Sequence, residues 1–103
     1  MRRLKIFKNK VKAGILEEII PGEEYIFRYS EGYEGSEISL TMPVEHKVFE
    51  FKKFPAVFDG LLPEGERLEN LIKNFKIDRN NYFSQLSPTG KDLKGDIEIE
   101  EME

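Results

Sequence analysis

The stretch "LKIFKNKVKAGILEEIIPGEEYIFRYS", Leu4 to Ser30, decides the fold. Leu4 and Ile6 alternate with Arg3 and Lys5 in the period-two manner of a half-buried strand, with Val11 and Lys12 continuing it after a hairpin turn at Asn9-Lys10. Two strands are expected near 3–8 and 11–20. Gly14 falls inside the second, where an interior glycine marks a bulge or a close approach of another backbone. Pro21-Gly22 then breaks the chain: proline presets its own φ and glycine takes the positive φ of a type II turn. A third strand, Glu24 to Ser30, places Tyr25, Phe27 and Tyr29 on one face and Ile26 and Arg28 on the other.

Outward from this core the pattern changes twice. "EGYEGSE", Glu31 to Glu37, reads as a loop leading to a fourth strand near 37–42, ended or put on an edge by Pro43. "KVFEF", Lys47 to Phe51, reads as a further short strand or an extended arm. From Pro63 the apolar spacing becomes helical: Leu68, Leu71, Ile72 and Phe75 share one face, and a helix over about 63–76 follows, with Glu69–Lys73 as an i, i+4 pair. Asp78 is the expected N-cap of a second short helix across "RNNYFSQLS", with Tyr82, Phe83 and Leu86 inward and Pro88 and Gly90 ending it. "GDIEIEEM" alternates again, so Ile97 and Ile99 form a last strand whose acidic neighbours can face the basic first strand. The fold class is α+β: a mainly antiparallel sheet of about five to six strands, with two short helices between the strand-rich N-terminal part and the closing strand.

With 103 residues the chain is expected to form a single domain, residues 1–103, which at this size buries roughly two-thirds of its unfolded surface. It contains 39% hydrophobic and 35% charged residues, the balance of a globular domain rather than a disordered one. It has no cysteine, which removes thiol catalysis and Cys-based metal sites and fits a reducing compartment. No apolar run approaches a membrane span and the N-terminal stretch has no signal-like h-region, so the cytoplasm is the expected location. Sixteen basic against twenty acidic residues give a net charge of -4, against sequence-independent phosphate binding. The basic residues Arg2 to Lys12 are the one feature favouring a nucleic-acid binder, and they are equally explained by facing the acidic terminal strand.

Enzyme chemistry finds no support in these residues. His46 is the sole histidine and has neither a second His nor a Cys to form a zinc site or a triad with. The adjacent pairs Glu17-Glu18, Glu23-Glu24 and Glu100-Glu101 point to different faces and read as solvated charges. "GLLPEGER", Gly60 to Arg67, has the glycine spacing of a phosphate-binding loop but carries Glu66-Arg67 where Lys and Ser/Thr belong. "TGKD", Thr89 to Asp92, lacks the upstream glycine. No cofactor and no metal are expected.

"FKKFPAVFDGLLPEG", Phe51 to Gly65, stands out as an apolar segment that its two prolines keep from being one regular element. Two readings stand side by side. Phe54, Phe58, Leu61 and Leu62 cap the core beneath the following helix, or the segment is a semi-rigid loop that offers an aromatic and leucines to a partner.

"FDGLLPEGE" with the helix after it, and then "NNYFSQLSPTGKDLKGDIEI", resemble the amino-terminal domain of the HipA family of toxin kinases, whose pattern is close to F-F-x-N-L-L-P-E-G, a helix, then F-x-L-L-x-x-x-G-x-D-x-x-G-A. "LKIFKNKVKAGIL", "YIFRYSEGY" and "ISLTMPV" are similar to the family's opening hairpin and next two strands, so the resemblance spans nearly the whole chain. In that family a kinase core follows this domain, and none of its catalytic residues is present here. A chain holding only this domain resembles HipS, the small subunit of tripartite HipB–HipS–HipT toxin–antitoxin systems. The resemblance implies a non-catalytic antitoxin, with no enzyme activity, that binds and inhibits a separate HipA/HipT-type serine/threonine kinase. It further implies a HipB-type DNA-binding protein reached through a ternary complex, without direct nucleic-acid or membrane contact by this chain. The alternative it implies is a split or excised domain that supports the structure or assembly of a HipA-type kinase without inhibiting it. The implied partner interface is Phe54, Phe58, Asp59, Leu61, Leu62, Pro63 and Glu64, with Phe58 as the aromatic that reaches the kinase cleft. Val57 replaces a frequent second Phe, Asp96 stands near a usual small Ala, and Lys91 replaces a frequent Arg, keeping the charge but losing the planar fork.

Overall fold

A computed structural model describes residues 2–89 and 96–102. Its first half follows from the alternation. Strand β1 (Arg2–Lys8) and strand β2 (Val11–Ile20) pair antiparallel around the Asn9-Lys10 turn. Both turn residues have positive φ, 51° and 67°, the geometry of a tight hairpin whose twist matches its strands. The Glu23 amide closes the next turn onto the Ile20 carbonyl at 2.9 Å, with Gly22 at φ 78°. Strand β3 (Glu24–Tyr29) returns along β2.

Gly14 meets both conditions that its position implied. Opposite it the β1–β2 register skips a residue, Ile6 pairing with Gly14 and Phe7 with Lys12, so Ala13 is the extra residue of a bulge. A Cβ on Gly14 would stand 2.2 Å from the Arg28 carbonyl oxygen and 2.7 Å from the Phe27 ring. Only glycine lets β3 lie this close.

Strand β4 (Val48–Phe51) pairs with β3, and strand β5 (Ile97–Glu101) pairs with β1, giving a five-stranded antiparallel sheet of order β4-β3-β2-β1-β5. The short "KVFEF" stretch is therefore a strand, and the closing strand lies where the charge pattern put it. Lys5 stands opposite Glu100, Arg3 opposite Glu17, and Lys8 reaches Asp96 at 3.0 Å. That contact holds the Asp96 carboxyl below its usual range.

The expected strand near 37–42 does not form. The segment instead folds into turns, with Met42 bonded back to the Ser39 carbonyl at 2.9 Å. The cause is Tyr29, whose buried hydroxyl donates to the Met42 carbonyl at 2.5 Å and accepts from the Ile38 amide at 3.1 Å. Ile38 and Met42 are drawn into the core while Leu40 is left 92% exposed.

Three helices follow rather than two. A single turn, α1 (Ala56–Asp59), precedes α2 (Glu66–Phe75) and α3 (Tyr82–Thr89). Helix α2 starts later than the apolar spacing suggested because Gly65, at φ 60° and ψ -132°, sits in a conformation suited to glycine and breaks the path from Pro63. Helix α3 is capped by Asn81, whose Oδ1 accepts from the Ser84 amide at 3.2 Å, while Asp78 closes its own turn onto the Asn80 amide at 2.9 Å. Pro88 lies within α3 rather than ending it; the expected stop at Gly90, with the rest of Gly90–Gly95, lies outside the described residues. Glu69 reaches across to Arg79 at 2.6 Å, clamping α2 to the α2–α3 connection.

The core lies between one sheet face and the helices. Leu4, Ile6, Leu16, Phe27 and Ile99 from the strands are fully or nearly fully buried against Phe58, Phe83 and Leu86. Tyr82, expected inward, stays 41% exposed. The opposite sheet face carries Arg3, Lys5, Glu17 and Arg28, with Arg28 Nε 3.0 Å from Glu17.

Candidate interaction surface

The segment after β4 is wound by its own backbone. Pro55 holds an extended φ, ψ of -62°, 133° and offers its carbonyl to the Phe58 and Asp59 amides at 3.1 and 3.0 Å, starting α1. Gly60, Leu61 and Leu62 then bond back to Ala56, Phe58 and Asp59, so the chain continues in tight turns up to Pro63. With its backbone amides satisfied internally, the segment is free to sort side chains by burial.

That sorting splits the seven expected interface residues. Phe58 is 1% exposed and packs on Phe27 at a ring distance of 6.2 Å, so it belongs to the core and does not reach outward. A one-turn helix over an open hydrophobic sheet face drives its largest apolar side chain down, and Phe58 is that side chain. Phe54 is half-buried, edge-on to Tyr25 at 5.6 Å and tilted against Tyr82 at 5.7 Å. Leu61 and Leu62 are half-buried against the core margin, Pro63 is half-buried, and Asp59 and Glu64 are exposed.

Beside Pro63, helix α2 and the end of α3 enclose a groove of about 290 Å³ lined by Pro63, Arg67, Asn70, Leu71, Asn74, Phe75 and Pro88. No residue of α2 is fully buried and Phe75 is 57% exposed. The apolar face of α2 is thus only partly covered. Phe75 belongs to the exposed surface and Leu71 beside it is only half-buried, since spacing reveals which residues share a face but not whether anything covers it. Their position about two and three turns beyond the "LLPEG" block is the sequence signal that joins them to it.

Chemistry is not assembled in this region. Among the described residues no group of three His, Asp or Glu converges as metal ligands would. His46 is exposed and lies 6.3 Å edge-on to Phe49. Burial raises the hydroxyl pKa of Tyr25 and Tyr29, with hydrogen bonds from Gly22 and Ile38 partly opposing it, and both hydroxyls serve as structural ties.

These features define a small α+β domain with one antiparallel sheet, one helical side and a half-covered apolar ridge. The chain belongs to the family of HipA N-terminal domains, whose family model matches residues 4–100. A solved structure described as the N-terminal domain of HipA toxin superposes on 100% of this chain and 94% of its own, with a TM-score of 0.77 and 26% identity. An uncharacterized protein of Haemophilus influenzae is 29% identical over 101 residues, covering 98% of this chain and 93% of that protein. The matched family is the N-terminal domain of HipA rather than its kinase domain, which fits a module without catalysis of its own.

Proposed function

We propose that this chain is a non-catalytic interaction module of the HipS type: an antitoxin that docks on a separate HipA/HipT-type serine/threonine kinase and holds it inactive. A HipB-type DNA-binding protein joins through the ternary complex, and the assembly works in the cytoplasm. The observation that carries this reading is the ridge of Leu61, Leu62 and Pro63 continuing into the half-buried Leu71 and the exposed Phe75 beside an open groove. An apolar surface of this kind, flanked by Asp59, Glu64 and Arg67, has the anatomy of a protein interface. The ion pairing of β1 with β2 and β5 supports assigning DNA contact to the partner rather than to this chain, because strand lysines and arginines already face glutamates.

The test mixes the domain with the kinase encoded beside it and follows complex formation and autophosphorylation together. Binding with suppressed autophosphorylation is the expected result. Binding with unchanged or increased activity would replace inhibition by a supporting role in kinase assembly, and absence of binding would sink both.

A further inference from the structure

The sheet ends in two edges of unlike character, β4 and β5. We infer that the β4 edge takes up an extended acidic segment of a partner polypeptide as a sixth strand, on a surface that shares no residue with the groove beside α2.

The hydrogen-bond phase of β4 fixes what its edge offers. The Tyr29 amide donates to the Lys47 carbonyl at 2.8 Å, and the register continues as Arg28–Val48, Phe27–Phe49, Ile26–Glu50 and Tyr25–Phe51. Antiparallel ladders alternate bonded and non-bonded pairs, so Lys47, Phe49 and Phe51 turn their backbone groups to β3 while Val48 and Glu50 turn theirs outward. No described residue bonds these outward groups. Their N–H and C=O groups stand open along the edge, where Glu50 is exposed and Val48 is 43% exposed. Phe49 and Phe51 lie half-buried on the core face and leave an apolar margin that alternate side chains of an added strand extend.

Charge decides the occupant. Lys47 precedes β4 and Lys52 and Lys53 follow it, all three are exposed, and none has a salt bridge among the described residues. Glu50 is the one acid between them. On a chain of net charge -4 this is a basic frame around an open edge. Two copies pairing β4 to β4 would bring both sets of lysines together, and like charges facing across a strand pair are destabilising. The other edge is the contrast. There the Met102 amide bonds to the Arg3 carbonyl at 3.1 Å and the Asn9 amide to the Asp96 carbonyl at 2.8 Å, so Ile97, Ile99 and Glu101 turn their backbone outward. That strand carries Glu98, Glu100 and Glu101, which repel an acidic segment. An acidic strand therefore has one edge to join, and the lysines at both ends steer it there.

The probe is the blocked peptide Ac-EEVTVEE-amide, titrated into the ¹⁵N-labelled full chain. Ac-KKVTVKK-amide is the charge control, and Ac-EEVPVEE-amide, with proline at its centre, is the control that cannot complete a strand. Saturable shifts centred on the Val48 and Glu50 amides, with slowed hydrogen exchange at both, are expected from the acidic peptide. Both controls should bind at least about tenfold more weakly. The double variant Lys52→Glu, Lys53→Glu should weaken the acidic peptide by a similar factor. Val48→Pro removes an outward donor at the first position of an edge strand, where proline is tolerated, and should abolish the protection of the Glu50 amide. Thermal melts of both variants report their folding. No saturable shift, shifts centred on Ile97 and Ile99, equal binding of either control, or unchanged affinity in the double lysine variant would overturn the proposal. So would self-association of the chain that protects Val48 and Glu50, which would assign the edge to a second copy.

Discussion

The hairpin side and the helical side of this domain use similar apolar content to different ends. In β1, β2 and β3, alternate residues disappear completely: Leu4, Ile6, Leu16 and Phe27 are at 0% exposure, and each is held by register to a partner on the next strand. Helix α2 carries four apolar residues at ideal spacing and buries none of them fully. A strand in the middle of a sheet gains neighbours on both sides from its own hydrogen bonds, whereas a helix must be packed from outside. Here α2 packs mainly on α3, beside the Pro63 turn. The sheet side is thus finished as a core, and the helical side is left with surface to share.

Substitutions separate the two regions. The largest effect is expected at Phe58, the one residue of the "LLPEG" region that has joined the core: Phe58→Ala should cost about 3–5 kcal/mol. That lowers Tm by more than about 12 °C for a domain of this size. A thermal scan showing an unchanged Tm with lost partner affinity would return Phe58 to the surface and break the comparison. Gly14→Ala is expected to cost about 1–3 kcal/mol by forcing β3 away from β2, visible as shifts of the Arg28 and Phe27 resonances. Tyr29→Phe removes both ties to the 38–42 turns and is expected to cost a similar 1–3 kcal/mol, roughly, in urea unfolding. On the other side, Phe75→Ser should change stability by no more than about 0.5 kcal/mol, as exposed sites do. The same variant should weaken kinase binding at least about tenfold if the ridge is the docking surface.

The smallest effect has the opposite sign. The Glu18 carboxyl titrates above its ordinary value of 4.5, so the folded chain holds that proton more tightly than the unfolded chain does. Its contribution to stability is present below that value and is lost as pH rises through the folded-state value. Glu18→Gln should therefore give a slightly higher Tm than the parent at pH 7 and no advantage near pH 4. A parent that gains stability across that same rise relative to the variant would contradict it. Arg2 and the N-terminal amine both favour the charged form of Glu18, and its burial outweighs them.

Much of this was legible in the residues. Asn9-Lys10, Gly14 and Pro21-Gly22 each carry a backbone requirement that can be met in few ways, so the two hairpins follow from local chemistry. The pairing of basic β1 with acidic β5 was legible because opposite charges at period two suit neighbouring strands. The segment 37–42 misled because "ISLTMPV" has strand propensity, while its conformation is set by a hydroxyl thirteen residues before Met42. Phe58 and Phe75 exchanged roles for the same kind of reason. Both are aromatic residues next to apolar neighbours, and only the placement of α1 over the sheet and of α2 beyond it decided which one is covered.

Local chemistry, then, determined the turns, the strand faces, the helix periodicity and the family pattern, because each depends on residues within a few positions of one another. Tertiary structure alone decided the depth of burial along 54–75, the capture of Ile38 and Met42 by Tyr29, and the burial of Glu18, because these depend on which distant surface arrives to cover a side chain and which leaves it open.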